Sequence, residues 1–177
     1  MKIGIIIAII VIILVVWAVK TTNGFKKKEI KIQEALSGIE VALTKRYDML
    51  TKMLDVAKNY AGHEKDVFFE TIHLRQGMSV QELNEADRVM NKMADAIKLT
   101  AEAYPELRSS DVFAELQRGI RDAEEHLQAA RRLYNASVTS YNTAIVMFPA
   151  KLLAGGRTAN AFFEAQDEKK NDVAMKF

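Results

Sequence analysis

One pair of residues in the sequence has the spacing of a metal-binding motif. Glu70 and His73 stand three positions apart, so on a helix both side chains would lie on the same face. Helical bundles that bind two metal ions through carboxylates use two such Glu-x-x-His motifs. The second motif is missing, because His63 and His126 each stand directly beside a glutamate. We therefore predict no metal site and no cofactor, and keep a metal-dependent hydrolase as an alternative.

The sequence also lacks the other motifs that mark common active sites. It contains neither the G-x-S-x-G turn of serine hydrolases nor the glycine-rich patterns that bind phosphates. It has no cysteine, which excludes disulfides, thiolate catalysis, cysteine-ligated zinc and a bacterial lipoprotein anchor. The net charge is only +2, and most basic residues are interleaved with acids, which argues against nucleic-acid binding. We predict a protein that is not an enzyme and has no small-molecule substrate.

A stripe of polar residues could instead serve structure or binding. Between positions 124 and 142 these residues recur at offsets of four, seven, eleven and eighteen, which places them on one face of a helix. Two further residues, 18 positions apart on an earlier helix, also share a face, because 18 residues make five full turns. We call the combined set the polar seam: Arg46, Glu64, Glu124, Arg131, Asn135 and Asn142.

The polar seam has two main interpretations. Its groups could satisfy one another between packed helices, which would fix the register of the helices at some cost in desolvation. They could instead line a groove that binds a partner helix, and a catalytic cleft is the third possibility. In each case the seam must be positioned by long helices.

The composition and the apolar periodicity predict those helices. Only two prolines and eight glycines interrupt the chain. After a turn-like break at residues 21–24, apolar residues recur in steps of three and four from Ile32 toward Ile72. A capping box, Ser79 to Glu82, predicts the start of a second helix that ends before Pro105.

The third predicted helix is the longest with a clear apolar stripe. It begins at a cap near Asp111, and its stripe runs from Phe113 to Phe148 with an average spacing of 3.5 residues, before Pro149. A short helix is predicted from Ala159 to about Lys170. Long helices with one apolar face are not stable singly, so we predict an all-α fold.

In this fold an N-terminal transmembrane helix precedes an antiparallel up-and-down bundle of three long helices and a shorter C-terminal element. The predicted organisation has four parts. Residues 1–22 form the anchor with its short flank, and residues 23–31 form a basic juxtamembrane segment. The bundle core follows at 32–149, and a short helix and tail at 150–177 pack on or near it.

The N-terminal anchor is predicted from a run of 17 uncharged, mainly apolar residues at positions 3–19. As a helix this run would be about 26 Å long, which just crosses a bilayer. A cleaved signal peptide is the alternative, but its apolar part is usually shorter, and no A-x-A-like site follows. Representative residues of this single-pass anchor are Ile3, Ile7, Val11, Val15, Trp17 and Val19.

Basic residues beside the anchor predict its orientation. The short N-terminal flank has only Lys2, whereas the segment after the anchor carries five lysines: Lys20, Lys26, Lys27, Lys28 and Lys31. Because positive residues are retained on the cytoplasmic side, we expect the N-terminus outside and the bundle in the cytoplasm. The same lysines could also attract an anionic leaflet of the bilayer.

Several short stretches resemble a known family in their order and spacing. They begin with Arg46-Tyr47-Asp48-Met49-Leu50, Tyr60-Ala61-Gly62-His63-Glu64 and Glu102-Ala103-Tyr104-Pro105-Glu106-Leu107, and continue with Tyr141-Asn142, Phe148-Pro149 and Phe162-Phe163-Glu164. Together they cover nearly the whole chain and resemble the LemA family. The resemblance implies a bacterial cell membrane protein with its short end outside, a mostly cytoplasmic helical bundle and no established biochemical activity.

The predicted function is that of a scaffold or interaction module anchored at the cytoplasmic side of the membrane. Its expected partners are the lipid bilayer and an unidentified protein or a second copy of itself. The alternative is a self-associating structural protein that organises the membrane.

Overall fold

The computed structural model describes residues 2–61, 74–75 and 77–164, and in these residues it contains helices and no strand. The predicted all-α class, with a long apolar N-terminal helix followed by a helical bundle, is confirmed. The elements are α1 (Lys2–Ala61), α2 (Val80–Ala103), α3 (Pro105–Arg108), α4 (Asp111–Val146) and the 3₁₀ helix η1 (Ala150–Leu153).

These elements contribute to two compact units. The described residues within Met1–Ala35 and Leu133–Phe162 form the first unit, and those within Leu36–Arg132 and Phe163–Phe177 form the second. Helices α1 and α4 therefore each supply one segment to each unit. The apolar stripes form the cores: Leu43, Leu50, Leu83, Met90 and Leu127 are buried in the second unit, and Phe25, Tyr134, Val138, Tyr141 and Ile145 in the first.

The turn-like break predicted at residues 21–24 is wrong, because α1 continues through it without interruption. The boundaries predicted at residues 22 and 31 fall inside this one helix. Gly24 destabilises a helix by only about 1 kcal/mol relative to alanine, and no proline removes a backbone donor here. Phe25 is buried in the first unit, and its burial on one face of α1 outweighs that local preference.

Helix α4 runs antiparallel to α1. In the second unit Met49 lies against Gly119, and Lys45 pairs with Asp122. The later residue of α1 therefore contacts the earlier residue of α4, as in antiparallel helices. A side chain at Gly119 would place its Cβ 3.0 Å from the Met49 sulfur, which shows how closely the two helices approach. The small residue therefore permits this tight crossing.

Helix α2 runs in the same direction as α1 and opposite to α4. The Gly77 N–H, just before α2, donates to Glu40 at 3.1 Å, and Arg46, further along α1, reaches Asp87 and Asn91 on α2. Among the described long helices, α1 and α2 therefore share one direction, and α4 runs opposite to both. Residues 62–73 and 76, which include the predicted continuation of the first helix toward Ile72, lie outside the described residues.

The predicted start of α2 is confirmed by its hydrogen bonds. The Glu82 N–H donates to the Ser79 hydroxyl at 3.2 Å, and the Ser79 N–H donates to the Glu82 carboxylate at 2.7 Å. Arg75 also donates to Glu82, at 2.7 Å. The Ser79 backbone N–H and the Arg75 guanidinium lower the pKa of Glu82 from its usual 4.5 to about 2.

Because its pKa is lower in the folded state, Glu82 stabilises the fold above about pH 4.5, and this contribution is lost as the pH falls toward 2. Glutamine at position 82 cannot ionise. We therefore expect the stability difference between the Glu82→Gln variant and the wild type to shrink as the pH falls from about 4.5 to 2. Urea unfolding midpoints at several pH values measure this, with Glu102→Gln, on the exposed last turn of α2, as the control. A difference that does not change with pH would contradict the role of Glu82.

The short helix predicted from Ala159 is wrong for the residues that the structure describes, because residues 159–164 are not helical. In the first unit Tyr134 donates to the Ala161 carbonyl at 3.0 Å, and the Asn160 N–H donates to Asn142 at 2.9 Å. In the second unit the Glu164 N–H donates to Asn84 at 3.2 Å. Side chains of α2 and α4 thus bind the backbone groups that a helix would pair internally.

Candidate functional site

Three charged side chains form a buried cluster in the second unit. Arg46 of α1 donates to Asp87 of α2 at 2.7 Å, and Arg131 of α4 donates to the other oxygen of the same carboxylate. The three residues are only 3%, 4% and 7% exposed in the order Arg46, Asp87 and Arg131. We call them the arginine cluster, and it links the three long helices through one carboxylate.

Further polar contacts hold Arg46 in place. Its Nη2 donates to Asn91 at 2.6 Å and to Glu124 at 3.1 Å. The planar guanidinium can serve several acceptors at once because its N–H groups point in fixed directions. Arg46 therefore contacts both α2 and α4, and Glu124 contributes from the exposed side.

Arg131 also contacts the segment that follows η1. Its guanidinium lies over the Phe163 ring at 4.9 Å from the ring centre, in the geometry of a cation–π interaction. Phe163 is buried, and the adjacent Glu164 forms an ion pair with Arg88 of α2 at 3.0 Å. The arginine cluster thus also positions this segment within the second unit.

A cleft of about 650 Å³ opens above the arginine cluster, and we call it the polar cleft. The Nε atoms of Arg46 and Arg131 are buried and have no hydrogen-bond acceptor among the described residues. Four arginines and two glutamates line the cleft, so its wall carries a net positive charge. The lining residues are Arg46, Arg121, Glu124, Glu125, Leu127, Gln128, Arg131 and Arg132.

The structure brings together three residues of the predicted polar seam: Arg46, Glu124 and Arg131. Asn135 and Asn142 lie on the α4 segment of the first unit, where Asn142 donates to the Asn160 carbonyl at 3.0 Å. The sixth residue, Glu64, lies outside the described residues. The structure thus brings three residues of the seam together in the second unit and places two others on the α4 segment of the first unit.

Sequence reasoning missed Asp87, which is the centre of the arginine cluster. A signal was present, because Asp87 lies four residues after Leu83 and three before Met90, both of which are buried stripe residues. A charged residue on the apolar face of a packed helix is buried together with its neighbours. A buried carboxylate needs a hydrogen-bonded cationic partner. That reasoning would have paired it with the arginines of the seam.

A second polar arrangement surrounds Glu29 in the first unit. Glu29 accepts from Lys26 at 2.8 Å, from Arg157 at 3.3 Å and from the Tyr141 hydroxyl at 3.5 Å. The Lys26 hydrogen bond is the largest cause that lowers the pKa of Glu29, and burial raises the pKa of Tyr141. Arg157 also lies over the Phe25 ring, 4.9 Å from its centre. These contacts tie the segment after η1 to α1.

The predicted juxtamembrane lysines lie on α1, on several of its faces. Lys26 pairs with Glu29, and Lys28, half-buried, donates to the Ser140 hydroxyl of α4. The other three are exposed: Lys20, Lys27 and Lys31.

The predicted anchor residues lie on the first part of α1. Residues 2–16 are all exposed, and Trp17 and Ala18 are the first partly buried residues of α1. The exposed anchor residues are Ile3, Ile7, Val11, Val15 and Val19. In the described part of the chain, α1 is the one helix long and apolar enough to cross a membrane.

The metal-binding alternative involves residues that the structure leaves out. Glu70, His73 and His63 all lie outside the described residues. Within the described ranges, no group of three or more histidine, aspartate or glutamate side chains is arranged to hold a metal ion.

Comparison with known proteins identifies the family. The sequence model of the LemA family matches residues 35–177. Protein LemA from Metamycoplasma hominis is 25% identical over 158 residues, which cover 85% of this chain and 72% of that protein. Magnetosome protein MamQ from Magnetospirillum gryphiswaldense is 21% identical over 162 residues, which cover 75% of this chain and 60% of that protein. With most of its length matched by the family model, the chain belongs to the LemA family.

Proposed function

We propose that this LemA-family protein is a membrane-anchored interaction module that recruits a partner protein at the polar cleft. The observation that carries the proposal is a solvent-accessible cleft built directly on a buried cluster of charged side chains. The cluster joins α1, α2 and α4 in the second unit and so holds the wall of the cleft in place, and a preorganised surface binds a partner at a lower cost in entropy. The module has no catalytic activity in this proposal.

The charge of the cleft indicates the chemistry of the partner. Four arginines and two glutamates line it, and the exposed members Arg121 and Arg132 can contact an incoming chain. Carboxylates match the fork of an arginine side chain, so acidic side chains of a partner can pair with the exposed Arg121 and Arg132. The partner segment is therefore acidic on the side that enters the cleft, as on one face of an amphipathic helix.

The anchor supports a location at the membrane. The exposed branched side chains from Ile3 to Val19 form an apolar surface that water would not stabilise, and a bilayer would cover it. The lysines that follow favour the N-terminus outside and the second unit in the cytoplasm, in a bacterial cell membrane. Labelling of a cysteine introduced at exposed Leu99 by a membrane-impermeant reagent in intact cells would contradict this orientation.

Photocrosslinking in intact cells tests recruitment at the polar cleft. A photoreactive residue at Gln128, which is exposed and lines the cleft, should give adducts with one dominant foreign protein. Ala129 is the matched control, because it is exposed on the next position of α4 and points about 100° away. Mass spectrometry of the adducts identifies the partner. The double variant Arg121→Glu/Arg132→Glu should abolish the adduct formed from position 128.

Two outcomes would contradict recruitment at the cleft. Equal adducts at Gln128 and Ala129, unaffected by the charge reversal, would place any partner elsewhere. Adducts only between copies of this chain would favour the alternative function, a structural protein that self-associates and organises the membrane. In that case the arginine cluster would serve only to hold the helices in register.

A further inference from the structure

The C-terminal end of α4 carries an exposed apolar surface that the core does not explain. The sequence places Phe148 at the end of the apolar stripe of α4, but this prediction is wrong: Phe148 is 81% exposed. Its neighbours Val146 and Met147 are 62% and 61% exposed, and Leu152 of η1 is 72% exposed. We call Val146, Met147, Phe148 and Leu152 the apolar tip.

Contacts within the first unit place the apolar tip beside the part of α1 that directly follows the apolar run. Ser140 of α4 accepts from Lys28, and Tyr141 contacts Glu29. Because α4 is antiparallel to α1, the six helical steps from Ser140 to Val146 extend about 9 Å toward the N-terminus of α1. The same distance along α1 from Lys28 reaches Thr22, three residues after the apolar run ends.

Two further observations agree with this placement. Arg157 donates to the carbonyl groups of Leu153 and Ala154 and lies over the Phe25 ring, which ties the end of η1 to α1 six residues after Val19. Trp17 and Ala18 are the first partly covered residues of α1. Burial of α1 therefore begins just after the apolar run, with Phe25 as its first fully buried residue, and the tip lies at this end of the first unit.

We propose that the apolar tip inserts into the interface of the bilayer, as a second membrane contact beside the transmembrane anchor. This inference rests on the proposed anchoring. The apolar run of α1 spans about 26 Å, slightly less than the hydrocarbon core of about 30 Å, so the interfacial layer extends to the residues just after it. Short anchors draw their flanking residues into this layer. The tip lies at that level.

The chemistry of the tip fits the interface of a bilayer. Aromatic and aliphatic side chains of interfacial segments bury about 5–10 Å deep, while adjacent cations contact the headgroups. Lys151 lies within the tip segment and is exposed, and Lys20 is exposed at the matching level of α1. Apolar insertion and electrostatic attraction would therefore act at the same place, whichever side of the membrane the unit faces.

Depth-dependent fluorescence of the full-length protein in lipid vesicles tests the proposal. The chain has no cysteine, so a single cysteine at Phe148 or Leu152 can carry an environment-sensitive dye. We expect its emission to shift to shorter wavelength and to be quenched by lipids that carry a nitroxide near the headgroup. A cysteine at Leu133 is the matched control, because Leu133 is equally apolar, 62% exposed and on the same helix far from the tip.

The outcomes separate the tip from the anchor. Dyes at positions 148 and 152 that emit as in water and are quenched only by aqueous iodide would overturn the proposal. A shift to shorter wavelength without lipid quenching would overturn it too, in favour of contact with protein. Trp17, the single tryptophan, reports on the anchor in the same sample. Quenching of Trp17 by the lipids without quenching of the dyes would refute the tip and leave the anchor standing.

Discussion

Replacing Asp87 with alanine is expected to lower the free energy of unfolding by about 3–5 kcal/mol, the usual effect of removing one partner from a buried ion pair. The substitution leaves Arg46 and Arg131 buried in the second unit without the carboxylate that both contact. The two guanidinium groups cannot lose their charge, so they must be hydrated by local opening of the helices. Urea unfolding of the detergent-solubilised protein measures the loss.

Two comparisons make this test specific to the arginine cluster. Asp95→Ala removes an exposed carboxylate from the same helix, and we expect a change within about 0.5 kcal/mol. Arg131→Ala should be less destabilising than Asp87→Ala, because Asp87 keeps its 2.7 Å contact with Arg46. Equal stability of the Asp87 variant and the wild type would show that the cluster does not hold α1, α2 and α4 together.

Deleting residues 2–19 is expected to move the protein from the membrane fraction to the soluble fraction. The deletion removes the exposed apolar part of α1, whose insertion is favoured because each branched aliphatic residue contributes about 0.3–0.6 kcal/mol at the centre of a membrane helix. Fractionation after extraction at high salt measures this, since salt removes proteins held only by charge.

A variant in which residues 3–19 are all leucine is the matched control and should stay in the membrane fraction. If the shortened protein is still retained there after the salt wash, the anchor lies elsewhere in the chain. Loss of the first residues from the mature wild-type protein would instead support the signal peptide that the sequence analysis kept as the alternative. The mass of the purified wild-type protein shows whether the first residues are retained as an anchor or removed as a signal peptide.

Much of the fold could be predicted because its signals are local. The capping box at Ser79, the proline at 105 and the apolar stripes depend on neighbours within a few residues, and the structure agrees with them. The break at residues 21–24 was predicted from equally local signals and was wrong. There the burial of Phe25, a contact made with distant parts of the chain, outweighs the weak preference of Gly24.

The candidate site was harder to predict because it is formed by residues far apart in sequence. Arg46, Glu124 and Arg131 could be selected by their helical spacing, but spacing cannot show which of several polar residues meet. Asp87 and Phe163 complete the arrangement from other elements. Periodicity also could not predict where the buried stripe of α4 ends. Phe148 continues the apolar pattern, but the helix has already ended at Val146.

The continuity of α1 has a mechanical consequence. A helix without a joint resists twisting, so the angular position of Glu29 around the helix axis is fixed by that of Trp17. Each residue advances the angle by about 100°. Any event in the bilayer that rotates the anchor, such as pairing with another transmembrane helix, would turn the juxtamembrane face by the same angle.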